Sequence, residues 1–140
     1  MTAAQRVLVG ALCTVLAAAS GASAMADTLN LNIEGKTYQI ELNASAEAQL
    51  LKAALPLKLE FEDFGRNERI AYLPHKLDIK SWKKPVEVKR GSLAYYVPWG
   101  NLCIFRVDYS SPNDLVLLGQ MSEEAVRAVE EHGSGTLSLP

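Results

Sequence analysis

A period-two alternation of apolar and polar residues constrains the fold of this chain more than any other feature. It runs through residues 29–33 and again through residues 38–42, where a leucine, isoleucine or tyrosine alternates with a polar side chain. Successive side chains of a strand point to opposite faces, so this pattern predicts two half-buried β-strands. The intervening Glu34-Gly35 pair is typical of a tight turn, which predicts a β-hairpin.

The same kind of pattern, interrupted by turns rich in Gly, Asn and Pro, continues along the chain. It predicts five further strands, at residues 57–62, 68–73, 92–99, 102–109 and 115–121. The run Leu102–Phe105 is continuously apolar, which predicts a strand covered on both faces. Seven strands with little helix indicate a mainly β fold, a small closed antiparallel β-barrel with two short capping helices.

Two short segments have the composition and caps of helices. Asn43 is a suitable N-cap for a helix over Ala44–Ala54, which is rich in Ala, Leu, Glu, Gln and Lys. Ser122 is the corresponding cap of a second helix, where two following glutamates suit the positive N-terminus and Gly133 suits the end. Residues 134–140 are predicted to form a flexible tail, so the barrel domain is expected to span residues 27–133.

Residues 1–26 have the organisation of a secretory signal peptide. Arg6 supplies the positive charge, the stretch from Val7 to Ala19 is apolar, and small residues follow in two A-x-A sites. Cleavage is expected after Ala26, with cleavage after Ala24 as the alternative. The apolar stretch is short for a membrane span, so we expect no membrane insertion after cleavage and a periplasmic or secreted protein.

Cysteine content and charge narrow the class of protein further. Cleavage would leave Cys103 as the single cysteine, so no disulfide is expected within the exported chain. The formal net charge is −2 at pH 7, which argues against a nucleic-acid partner because such proteins need clustered Lys and Arg. Lys and Arg are most frequent in residues 75–91, but acidic residues interrupt them there, which favours a solvated loop. Docking of a partner protein on this loop is an alternative.

The usual catalytic arrangements are not indicated. His75 and His132 are distant in sequence and neither lies in a ligand-spaced cluster, so neither a metal nor another cofactor is predicted. Cys103 lies in the most apolar strand and is predicted to be an inert buried thiol. Alternation sends Glu60 and Glu62 to the solvent face, which disfavours a carboxylate pair for acid–base catalysis.

Two runs in the sequence resemble one known family. They are the set Leu55-Pro56-Leu57, Phe61-Glu62-Asp63-Phe64 and Asn67-Glu68-Arg69-Ile70-Ala71-Tyr72-Leu73-Pro74, and the later run Tyr96-Val97-Pro98-Trp99-Gly100-Asn101-Leu102-Cys103-Ile104-Phe105, followed by Leu118-Gly119. Over residues 28–130 the chain resembles the bacterial cyclophilin-like domain, a family of largely unknown function. The resemblance implies an eight-stranded antiparallel barrel with helices at its ends. The chain differs from the usual family pattern at Arg106, at Gln120 and in the segment from Ile79 to Arg90.

The resemblance favours a binding module over an enzyme. True cyclophilins isomerise Xaa–Pro bonds with a strand arginine that stabilises the twisted amide, and the signature around that arginine is absent here. We therefore expect a non-catalytic domain that binds a small molecule or an extended peptide in a barrel groove, with a weak peptidyl-prolyl isomerase as the alternative. Trp99 and Asn101 form a turn at the barrel rim that suits such a cleft. The candidate ligand-binding residues are Arg69, Tyr72, Trp99, Asn101, Arg106 and Tyr109.

Overall fold

The computed structural model describes residues 27–111 and 113–140, so the predicted signal peptide lies outside the described residues. Within these residues, two helices and eleven strands follow one another. In chain order they are β1 (Thr28–Ile33), β2 (Lys36–Leu42), α1 (Ala46–Ala53), β3 (Leu57–Glu60), β4 (Glu62–Phe64), β5 (Glu68–Tyr72), β6 (Val86–Val88), β7 (Ser92–Tyr96), β8 (Asn101–Phe105), β9 (Tyr109–Ser111), β10 (Leu115–Met121), α2 (Glu123–Glu131) and β11 (Ser134–Ser138).

The predicted N-terminal hairpin is confirmed. β1 and β2 pair in antiparallel register, with Leu31 opposite Tyr38 and Ile33 opposite Lys36. Both turn residues have a positive φ, 52° at Glu34 and 79° at Gly35, as the tightest hairpin turns require. The alternating apolar side chains of β1 are buried, which places one face of the hairpin against the core.

The main sheet closes almost completely into a barrel. Its nine strands run in the order β3-β11-β1-β2-β10-β7-β8-β5-β4. The two end strands, β3 and β4, are consecutive in the chain and separated only by Phe61, so the sheet has to curl until its ends meet. The Phe61 side chain is buried, and its backbone N–H donates to the Gly133 carbonyl at 2.9 Å. The predicted mainly β barrel with two short helices is therefore confirmed.

Two apolar cores lie on opposite faces of the β7–β8 part of the sheet. The larger core fills the barrel interior and includes Tyr95 and Leu102. The smaller core lies outside the barrel, contains Cys103 and Phe105, and is covered in part by the separate two-stranded sheet of β6 and β9. All five residues of β8 are buried, which confirms the prediction of a strand covered on both faces.

Two predicted strands are interrupted. The strand predicted at residues 57–62 breaks at Phe61 into β3 and β4, because the chain turns there from one end of the sheet to the other. The strand predicted at residues 102–109 ends at Phe105, and Tyr109 starts β9 in the smaller sheet. The basic segment of residues 75–91 is mostly irregular, as predicted, but contains the short strand β6.

The first helix begins later than predicted. Its N-cap is Ser45, whose hydroxyl accepts a hydrogen bond from the Ala48 N–H at 3.1 Å. The predicted cap, Asn43, instead donates from its side chain to the Leu117 carbonyl at 2.8 Å. The Asn43 side-chain oxygen, which would cap the helix, accepts from the Ser45 N–H at 3.1 Å, so contacts with β10 and with Ser45 together occupy this side chain.

The prediction of a flexible tail at residues 134–140 is wrong for most of its length. Residues Ser134–Ser138 form β11, which pairs with both β1 and β3. Leu137 is fully buried, whereas Leu139 is 52% exposed. The segment is short and contains a glycine, so its strand character comes from the two neighbouring strands that it joins rather than from its own pattern.

Candidate functional site

A cavity of about 150 Å³ opens on the outer face of the barrel. It lies where the β7–β8 turn, the β4–β5 hairpin, the start of β9 and the start of β10 come together. Its lining residues are Phe64, Glu68, Ile70, Tyr96, Trp99, Asn101, Tyr109, Asp114 and Leu115. We refer to this cavity as the aromatic pocket, since four of these nine residues are aromatic.

Trp99 forms the central wall of the aromatic pocket. It lies in the tight β7–β8 turn, where the Gly100 N–H donates to the Tyr96 carbonyl at 2.9 Å and Gly100 has a φ of 73°. The indole ring meets the rings of Phe64 and Tyr96 edge to face, at centroid distances of 5.4 and 5.5 Å. Rings at nearly right angles form the walls of a box and leave apolar surface open to a ligand.

Tyr109 forms the wall opposite the turn. Its ring stacks on the buried Phe105 ring, with 5.8 Å between centroids and 11° between planes. The smaller core therefore fixes one face of Tyr109, although 42% of the residue remains exposed. This arrangement presents an aromatic side chain to solvent on a rigid support, as binding sites require.

Two carboxylates give the aromatic pocket a negative charge. Glu68 begins β5, and Asp114, which precedes β10, accepts a short hydrogen bond from the Ser111 hydroxyl. Burial raises the pKa of Glu68 above its usual value, and the charge of Asp114 raises it further. Burial also raises the pKa of Tyr96, and the negative charges of Asp114 and Glu68 raise it further. Neither carboxylate forms an ion pair with another residue in the described part of the chain.

Asn101 lines the aromatic pocket, and Cys103 lies two residues further along β8. Asn101 is buried, and its side-chain oxygen accepts a hydrogen bond from the Cys103 thiol at 3.4 Å. Burial, reinforced by the charge of Glu68, raises the pKa of Cys103 far above its usual value. The prediction that Cys103 is buried is confirmed, and the raised pKa favours the protonated thiol at neutral pH.

Arg69 points away from the aromatic pocket. Its side chain is only 13% exposed, and its guanidinium donates to the carbonyl oxygens of Val129, Glu130 and His132 at 2.9 to 3.2 Å. A fourth hydrogen bond reaches the Phe61 carbonyl at 2.9 Å. These carbonyls belong to the end of α2 and to the β3–β4 junction, so Arg69 connects the helix to the sheet closure.

Arg106 and Tyr72 also lie outside the aromatic pocket. The Arg106 guanidinium pairs with Asp63, with 2.6 Å between Nη2 and Oδ1, and its Nε lies 3.6 Å from a Glu130 oxygen. Tyr72 lines a shallower groove beside Pro74. The structure thus brings together three of the six predicted ligand-binding residues, Trp99, Asn101 and Tyr109, and separates the other three from them.

Sequence reasoning missed the carboxylates and Phe64 as pocket residues. Glu68 begins a predicted strand and Asp114 immediately precedes another, yet both line a mainly apolar and aromatic surface. One signal was available, because Glu68 shares a face of its strand with the buried Ile70. Nothing in the local sequence places Asp114 on this face, because β10 and β7 become neighbours only in the folded sheet.

Among residues 27–111 and 113–140, no group of three or more His, Cys, Asp or Glu is placed to hold a metal ion. In the same part of the chain, no helix is both long and apolar enough to cross a membrane.

Comparison with known proteins gives a family and a fold. The sequence profile of the Cyclophilin-like family matches residues 31–139. The solution structure of a hypothetical protein from Archaeoglobus fulgidus has a similar fold, with a TM-score of 0.60 and 16% sequence identity. The alignment covers 84% of this chain and 97% of that one. No curated protein matches the sequence.

Proposed function

Because this chain belongs to the cyclophilin-like family, we propose that it is an exported, non-catalytic domain that binds a small molecule or an extended peptide. The observation that carries the proposal is the aromatic pocket, an open cavity with rigid aromatic walls and two carboxylates. Concave sites with aromatic walls and a few placed polar groups are typical of ligand-binding surfaces. The signal-peptide features of residues 1–26 support export.

Electrostatics at the aromatic pocket favour binding over isomerisation of Xaa–Pro bonds. A cyclophilin-type isomerase needs an arginine in its groove to stabilise the twisted amide. Arg69 donates to the end of α2 and Arg106 pairs with Asp63, so neither candidate is available to a ligand in this pocket. The pocket carries carboxylates instead, which would not stabilise negative charge on an amide oxygen.

An NMR titration tests this proposal. The purified, isotopically labelled protein is titrated with short Xaa–Pro peptides and with a panel of small-molecule fragments, while cis/trans exchange of the peptides is recorded. We expect shift changes centred on Trp99, Tyr96 and Tyr109 without faster exchange. Trp99→Ala should weaken binding by about tenfold or more, because it removes the central wall.

Tyr72→Ala is the matched control for Trp99→Ala. Tyr72 is an equally exposed aromatic residue, with 48% against 46% exposure, but it lies outside the aromatic pocket. Its replacement should leave binding unchanged. Faster cis/trans exchange would overturn the non-catalytic assignment, and the absence of shift changes with every ligand would overturn the binding function itself.

A further inference from the structure

We propose that the aromatic pocket binds the methylated ammonium group of a small organic cation that carries a net positive charge. This inference rests on the proposed binding function and adds the chemical class of the ligand. It follows from three observations on the pocket: its aromatic walls, its unpaired carboxylates and its apolar floor.

The aromatic walls offer an open cation–π site. Cations bind over the faces of Trp and Tyr rings, and methylated ammonium groups are commonly held in boxes of such rings. Here the Trp99 ring stands nearly perpendicular to two neighbours, with interplanar angles of 81° and 85°. The described part of the chain places a lysine or arginine over three other aromatic rings, but over none in this pocket.

The charge of the pocket selects for a cation. Glu68 and Asp114 both line it and raise the pKa of Tyr96, so they act on the same small volume. Lys76 lies beside the β7–β8 turn, with its ammonium 3.4 Å from the Pro98 carbonyl, and Arg66 lies in the β4–β5 turn, but neither residue lines the cavity. A bound cation would therefore balance the negative charges of Glu68 and Asp114, since no Lys or Arg of the described residues lines this pocket.

The floor of the pocket distinguishes among cations. Ile70 and Leu115 are both buried apolar residues, and they form part of the lining. A primary ammonium is compact and strongly hydrated, so contact with an apolar floor would cost it hydration. A methylated ammonium presents methyl groups to the same surface and keeps its charge. A metal ion is disfavoured, because the two carboxylates are fewer ligands than such ions require.

Choline and two analogues test the inference by NMR titration. The dimethylbutanol that is isosteric with choline has a quaternary carbon in place of the nitrogen, and in glycine betaine a carboxylate replaces the hydroxymethyl group. We expect choline to bind about tenfold more tightly than dimethylbutanol, with shift changes at Trp99 and Tyr96. Glycine betaine should bind more weakly than choline, because Glu68 and Asp114 repel its carboxylate.

Neutral variants of the two carboxylates identify the source of the selectivity. Glu68→Gln and Asp114→Asn should each weaken choline binding by about fivefold and leave dimethylbutanol binding unchanged. Glu41→Gln, which neutralises an exposed glutamate on β2 outside the pocket, is the control and should change neither. If Asp114→Asn fails to fold because its contact with Ser111 is altered, Glu68→Gln decides alone.

The titrations distinguish a wrong ligand class from the absence of any binding function. Equal affinities for choline and dimethylbutanol, or no effect of Glu68→Gln on choline, would overturn the cation assignment. A lack of choline binding would overturn it as well. In each case, shift changes at the pocket with the peptide and fragment panel would still support a binding domain of another specificity.

Discussion

Arg69 shows how a single residue takes its role from tertiary contacts. On the sequence it is a strand arginine in a cyclophilin-like context, which suggests contact with a ligand. In the structure it donates hydrogen bonds to carbonyl oxygens at the end of α2 and at Phe61, and it is largely buried. Its positive charge therefore stabilises a helix terminus, where backbone carbonyls would otherwise lack partners.

Replacing Arg69 should cost stability rather than ligand affinity. Arg69→Met leaves several buried carbonyl oxygens without donors, and we expect it to lower the free energy of unfolding by about 3 kcal/mol. Urea unfolding at neutral pH measures this change. Arg66→Met, at an exposed arginine of the same hairpin, should change stability by less than about 0.5 kcal/mol. Equal effects of the two variants would contradict the structural role.

At the scale of elements, α2 is attached to the barrel through both of its ends. Ser122 caps its N-terminus, accepting from the Ala125 N–H at 3.2 Å, as the sequence predicts. Arg90 binds Glu123 in the first turn at 2.8 Å and Glu130 near the last at 2.9 Å. These hydrogen bonds from Arg90 lower the pKa of Glu123 to about 2 and also lower the pKa of Glu130.

The depressed pKa values predict a pH dependence of stability. A carboxyl whose pKa is lowered by folding stabilises the protein above its unfolded pKa, and this contribution is lost as pH falls through the folded pKa. For Glu123 the loss should occur between its usual 4.5 and about 2. Arg90→Met should therefore be less stable than the natural protein at pH 7, and the difference should shrink across this range.

Urea unfolding midpoints at several pH values between neutrality and pH 2 measure the effect. Lys58→Met removes the same charge from an exposed position on β3, and its stability profile should run parallel to that of the natural protein. Glu68 is present in all three proteins, so the opposite contribution of its raised pKa cancels in the comparison. Parallel curves for Arg90→Met would show that the ion pairs do not contribute.

At the scale of the whole molecule, the barrel depends on its last strand. β11 is inserted between β1 and β3, so it connects the N-terminal hairpin to the strand that closes the sheet. This strand is thereby part of the core, and its Leu137 is fully buried. A barrel without β11 would expose two unpaired strand edges and part of its interior.

Two leucines near the C-terminus test this role of β11. Leu137→Ala should lower the free energy of unfolding by about 2 to 5 kcal/mol, because it leaves a cavity in the barrel core. Leu139→Ala, two positions later and 52% exposed, should have an effect below about 0.5 kcal/mol. Thermal or urea unfolding distinguishes them. A small effect of Leu137→Ala would instead favour a flexible tail.

Most of the architecture was predictable, because it depends on patterns that are local in sequence. Period-two alternation located the hairpin of β1 and β2, and Ser122 and Gly133 marked the limits of α2. The two sequence runs identified the cyclophilin-like family, whose profile covers residues 31–139. Local pattern failed where a residue has a distant partner: Asn43 binds Leu117 instead of capping α1, and residues 134–138 form a strand.

The sequence by itself determined most of the segments that become strands and helices, β11 excepted, since alternation, caps and turns act between near neighbours. It also indicated that Trp99, Asn101 and Tyr109 lie at a cleft. The tertiary structure decided that Arg69 and Arg106 lie outside this cleft, and that Glu68 and Asp114 lie within it. The reason is the sheet order, which brings β5, β7, β8 and β10 side by side although they are separated in sequence. Only this order of strands places two negative charges beside these aromatic rings, and the proposed preference for a cation depends on that proximity.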